Sequence, residues 1–134
     1  MSAQPSNYRD WLRNAEDDLL TIEILTSASR VPWSIVCYHA QQAGEKYLKA
    51  FLVFHGRTPF RTHDLGVLLQ ECLTIQPNLA LSEDDCDALS DYAVTARYPE
   101  DSPPAEDEAR EAAAAALRVR TGVLARLPQT DAEP

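Results

Sequence analysis

Residues 36–50, Val-Cys-Tyr-His-Ala-Gln-Gln-Ala-Gly-Glu-Lys-Tyr-Leu-Lys-Ala, constrain this chain more than any other stretch. Val36, Ala40, Ala43, Tyr47, Ala50 and Phe54 recur three and four residues apart, which is one stripe of a helix. His39, Gln42, Lys46 and Lys49 run beside it at the same spacing. A helix that only filled a core has no use for an imidazole, an amide and two ammonium groups in register. This one is expected to build a bundle and to present a polar face. No segment shows sustained period-two alternation of β-branched residues, and no repeat of 20–50 residues occurs. The expected class is therefore all-α: an up-and-down four-helix bundle with a short additional helix.

At 134 residues the chain fits one domain, expected over residues 1–127, with Pro128–Pro134 as a disordered tail. No apolar run approaches the ~20 residues that span a bilayer. The N-terminal residues show no basic-then-apolar leader, so a cytoplasmic protein without membrane association is expected. Cys37, Cys72 and Cys86 cannot all pair within one chain, and each falls at an apolar helical position. They are expected as buried, reduced thiols.

The net charge of −9 is unevenly spread. Residues 1–30 carry −2, residues 31–63 carry +3 and residues 64–134 carry −10. The whole molecule repels a polyanion at long range, which argues against DNA and against general nucleic-acid binding. Only the central segment would meet a phosphate or an RNA strand favourably.

Along the chain, a first helix is expected from near Ser6 to near Ser29, burying Tyr8, Trp11, Leu12, Ala15, Leu19 and Ile22. Glu16, Asp17 and Asp18 are expected on or near its opposite side. A Ser-rich breaker ending at Pro32 precedes the second helix, which runs to about His55 with Gly56 as its C-cap. Thr62 is the expected N-cap of the third helix, with Asp64 in its first turn. Ser82 should cap the fourth, which runs toward Arg97. Ser102 followed by Pro103 reads as N-cap and first residue of an alanine-rich last helix.

Three stretches resemble one known family. Cys37–Ala50, then Thr62-His63-Asp64-Leu65, then Thr95-Ala96-Arg97-Tyr98-Pro99-Glu100 are similar to the signatures of the HEPN domain, in that family's order and spacing. Trp11, Ala15, Asp18 and Leu19 suit its first helix, and the resemblance spans roughly residues 8–127. It implies a helical module, often a homodimer. Such modules are frequently encoded beside a minimal nucleotidyltransferase-like protein as a toxin–antitoxin pair. Many relatives are metal-independent ribonucleases that place an Arg four to six residues before a His and assemble the site across a dimer.

Arg57 and His63 are the candidate catalytic pair, with five residues between them. His63 would serve as the base near a 2′-hydroxyl, and Arg57 or Arg61 as the cation facing the developing phosphorane charge. Thr58 replaces the Asn, Asp or His usual after the Arg, and Pro59 breaks the intervening segment. Arg97 has no His downstream. A non-catalytic binding module is therefore favoured over an endoribonuclease. The bland alternative for His63 is a local hydrogen bond that orders the turn at Thr62–Asp64.

The candidate nucleotide- or partner-binding residues are His39, Gln42, Lys46 and Lys49, joined by Arg97 and Tyr98. The bland alternative is a polar network between helices in which Glu45 and a neighbouring acid pair the lysines. His39, His55 and His63 share no close ligand spacing, so no metal site is expected. No Gly-rich phosphate loop occurs, and no cofactor is expected. An exposed Trp33 or Tyr98 beside the alanine-rich helix would suit a dimer interface. A purely structural oligomerisation module completes the set of readings.

Overall fold

The computed structural model describes residues 7–93 and 102–128. These form five helices: α1 (Tyr8–Thr26), α2 (Trp33–Phe54), α3 (Leu65–Ile75), α4 (Glu83–Ser90) and α5 (Glu106–Leu124), with no strand among the described residues. The expected all-helical class holds. Its organising feature is α2, which packs against each of the other four helices, most extensively α1 and α5.

The small-residue stripe explains that role. Val36, Ala40, Ala43, Tyr47 and Ala50 are all buried, and so are Cys37, Gly44, Leu48 and Phe51 on an adjoining face. A helix with small residues on several sides admits several neighbours at close range. Phe54, at the end of the stripe, stays 39% exposed and meets Tyr8 edge to face at 5.0 Å. Trp11, Ala15 and Ile22 of α1 and Ala109, Ala112, Ala116, Val119 and Val123 of α5 complete the layers on α2. Cys37, Cys72 and Cys86 are free and buried. Burial is the main cause that pushes the Cys72 and Cys86 thiols up to about 12.

The helix ends follow local chemistry. Asn7 caps α1 by accepting from the Arg9 N–H at 2.8 Å. The helix stops at Thr26, short of the expected Ser29. There the Thr26 and Ser27 hydroxyls donate back to the carbonyls of Ile22 and Ile24. Gly56 closes α2 as expected, at φ 78°. Its N–H bonds the Val53 carbonyl and the Arg57 N–H bonds the Leu52 carbonyl, both at 2.9 Å, which is a Schellman closure.

Three further boundaries differ from expectation. The N-cap of α3 is Asp64, which accepts from Val67 N–H at 3.2 Å, while Thr62 accepts from Asp64 N–H one step earlier. α4 is capped by Ser82 as read but ends at Ser90, well before Arg97. α5 begins at Glu106 with Ala105 in the cap position, not at Ser102–Pro103. Pro104 disfavours helical backbone at Pro103, so the pair cannot open the helix. The Thr95–Glu100 motif lies outside the described residues, as do residues 129–134 of the expected tail.

Candidate functional site

The polar stripe of α2 does not stand open to solvent. It is pinned by two buried carboxylates, Asp18 from α1 and Glu45 from α2 itself, 6% and 4% exposed. Asp18 uses both oxygens. Oδ1 accepts from His39 Nδ1 at 2.8 Å and Oδ2 from Lys46 Nζ at 2.8 Å. Asp18 therefore does not share the outer side of α1 with Glu16 and Asp17, and that expectation is corrected. Residues 11, 15, 18 and 22 form the buried row of α1. The step from Ala15 to Asp18 to Ile22 was visible in the sequence as a three-and-four spacing, obscured because an acid occupied it.

Glu45 is the second anchor. It accepts from Lys49 Nζ at 2.9 Å, Gln41 Nε2 at 3.0 Å and His63 Nδ1 at 2.9 Å. Gln41, fully buried, also donates to the His63 carbonyl at 2.9 Å, which ties the loop before α3 onto α2. Gln42 donates to Gln41 Oε1 at 2.8 Å. The Lys49 ammonium lies 5.4 Å from the centre of the Trp11 ring, so the aromatic face adds to its stabilisation. Burial raises the Glu45 pKa. The hydrogen bonds from Lys49, His63 and Gln41, with the Lys49 charge, outweigh burial and hold the carboxyl below its ordinary value.

His39, Gln42, Lys46 and Lys49 are thus brought into one region, with His63 joined to them through Glu45 and Gln41. Lys46 and Lys49 both reach toward α1. Their two positive charges are matched by Asp18 and Glu45, so the stripe is charge-compensated within the protomer. The side chains of His39 and Lys46 remain 24% and 23% exposed and that of His63 67%, whereas that of Lys49 is 7%. Arg57 does not join this group. Its Nη2 donates to Thr74 Oγ1 at 3.4 Å, near the end of α3. Arg97 and Tyr98 lie outside the described residues. Trp33 is half-buried, with the Arg110 guanidinium 5.0 Å from its ring centre.

The residues that the sequence reading missed at this site are Asp18, Gln41 and Trp11. Gln41 lies one turn before Glu45 and two before Lys49, so a Gln-Glu-Lys column at four-residue spacing was its signal. Among the described residues no group of three or more His, Cys, Asp or Glu side chains is placed to hold a metal ion. Among them, too, no helix is long and apolar enough to cross a membrane.

The HEPN domain family model matches residues 8–125, from the start of α1 past the end of α5. The chain belongs to the HEPN family. One solved structure, TT1696 from Thermus thermophilus, is similar to this HEPN chain with 27% identity and a TM-score of 0.72. The match covers 90% of this chain and 98% of that one. No curated protein sequence matches. The HEPN match takes in both helices that supply the carboxylate anchors, so the Asp18–Glu45 network lies wholly inside the family domain.

Proposed function

We propose that this HEPN chain is a non-catalytic, homodimeric binding module whose partner is a nucleotidyltransferase-like protein in a toxin–antitoxin-type pair. One observation carries the non-catalytic part: the members of the Arg-x5-His pair have separate partners. His63 is held on Glu45 and Arg57 on Thr74. A phosphoryl-transfer site needs its base and its cation around one reacting group. The internal pairing of the stripe supports the same reading, because its lysines already have counter-ions.

A nucleotide phosphate would approach the stripe at His39 and Lys46, the members with exposed surface, and Gln42 would flank it. Lys49 would hold Glu45 rather than touch the ligand. Arg97 and Tyr98 belong to the proposed contact on the strength of the sequence motif alone. A cytoplasmic location accompanies this reading.

A second reading, a metal-independent endoribonuclease, draws on one specific observation. His63 presents a largely exposed imidazole whose Nδ1 is engaged by a carboxylate, an arrangement that leaves Nε2 to accept a proton. Incubation of excess protein with a mixed RNA pool at low salt separates the two. The binding reading expects intact RNA, co-purification with a co-expressed minimal nucleotidyltransferase, and nucleotide affinity reduced about tenfold in Lys46→Ala. RNA cleavage abolished by His63→Ala would replace it with the enzyme reading.

A further inference from the structure

A second surface lies away from the polar stripe. α1 and α5 both pack closely on α2 but barely meet one another, and a groove of about 560 Å³ remains between them. The alanine run of α5 explains the opening: Ala113 contributes little bulk toward α1. Leu20 and Leu117 line opposite walls and are 51% and 49% exposed, and Ile24, one turn beyond Leu20, is 61% exposed. These are three of the six large apolar side chains exposed among the described residues. The groove wall on α1, from Glu16 to Thr26, is about 15 Å long, enough to seat roughly three turns of another helix.

The charges on the rim select the occupant. Glu16 is neutralised across the groove by Arg120 at 2.8 Å. Asp17 and Glu23 line the groove as exposed carboxylates with no ion pair among the described residues. An isologous dimer on this face would set the same acidic rim against itself. A cationic helix would instead bury its apolar face on Leu20 and Leu117 and place its lysines or arginines against Asp17 and Glu23. We propose that the α1–α5 groove is the docking site for a basic amphipathic helix of a partner protein. The proposal rests on the binding-module reading and assigns the face through which the partner is held.

The probe is a synthetic 18-residue helical peptide with leucines at three- and four-residue spacing flanked by lysines, titrated against the full chain by fluorescence anisotropy. Its counterpart carries glutamates in place of the lysines. The lysine peptide is expected to bind, and the Leu20→Lys/Leu117→Lys variant to weaken it at least tenfold. Both positions are half exposed, so the fold should survive, as circular dichroism will verify. Asp17→Lys/Glu23→Lys should lose the lysine peptide and gain the glutamate one. Asp87→Lys/Asp91→Lys, which reverses two acids at α4, should leave affinity unchanged. Equal weakening by the α4 reversal would reduce the effect to general acidity and overturn the proposal. So would absence of binding. Conversion of a dimer to a monomer by Leu20→Lys/Leu117→Lys, seen by sedimentation, would assign the groove to a second copy. RNA cleavage by the wild-type chain bears on the catalytic question and leaves these peptide outcomes distinct.

Discussion

At the scale of single residues, the two buried carboxylates decide how the α2 stripe behaves. Removing the charge of Glu45 leaves a buried Lys49 ammonium without its counter-ion. Glu45→Gln is therefore expected to cost about 3 kcal/mol, measured as a shift in urea midpoint. Asp18→Asn should cost about 2 kcal/mol, because Lys46 and His39 are partly exposed and can recover some solvation. The pH dependence follows from Glu45. Its folded-state pKa lies below the ordinary Glu value. Its contribution is thus complete above the range in which an unfolded Glu titrates and fades as pH falls through the lowered folded value. Urea midpoints of the wild type should drop on acidification through this window, and Glu45→Gln should flatten that part of the profile. A midpoint in the variant that fell as steeply would assign the acid sensitivity to other carboxylates.

At the scale of elements, the caps and glycines carry distinct costs. Asp64→Ala removes the side-chain acceptor for Val67 N–H and should lower stability by about 1 kcal/mol, more than Thr62→Ala does. The reverse order would restore Thr62 as the effective cap. Gly44 sits where α2 meets α3 and α4, whereas Gly122 of α5 sits against the segment between α3 and α4, so their neighbours differ. A Cβ at Gly122 would meet Leu81 Cδ2 at 2.4 Å and the Ala80 carbonyl oxygen at 2.6 Å, and backbone cannot step aside cheaply. A Cβ at Gly44 would meet only the ends of leucine side chains, Leu65 at 2.8 Å and Leu89 at 3.1 Å. The gain in helix propensity on replacing Gly by Ala is about 1 kcal/mol. Gly44→Ala should therefore change stability by no more than about 1 kcal/mol, whereas Gly122→Ala should lose about 2 kcal/mol by thermal or urea unfolding.

At the scale of the molecule, α2 is the hub, and its Cys37 and Tyr47, with Cys72 of α3 and Cys86 of α4, lie in the interior. Cys37, Cys72 and Cys86 are fully buried. The folded chain should resist a thiol-specific reagent near neutral pH, and all three cysteines should react once denaturant is added. Rapid native labelling would mean that the interior opens far more readily than its packing implies. Tyr47, also fully buried, donates its hydroxyl to Glu16, which Arg120 holds from α5. Three helices are thereby joined at one polar point, beside the groove that we assign to a partner. Much of this was legible beforehand: the apolar rows of α2, the Gly56 closure, the Ser82 cap and the fate of the cysteines all follow from local spacing and backbone preference. Less visible were the separate partners of Arg57 and His63, which five residues of spacing in a Pro-containing loop do not fix.

Local order alone therefore determined that this chain is helical, where most helices begin or end, and which residues line the hub. Those features depend on backbone propensity and on periods of three and four residues, both written in consecutive positions. Only the tertiary structure decided that Asp18 turns inward to hold His39 and Lys46, that His63 comes down on the Gln41–Glu45–Lys49 column, and that a groove stays open between α1 and α5. Such outcomes arise between segments distant in the chain, where desolvation of a charge is offset by whichever counter-ion the packing brings near.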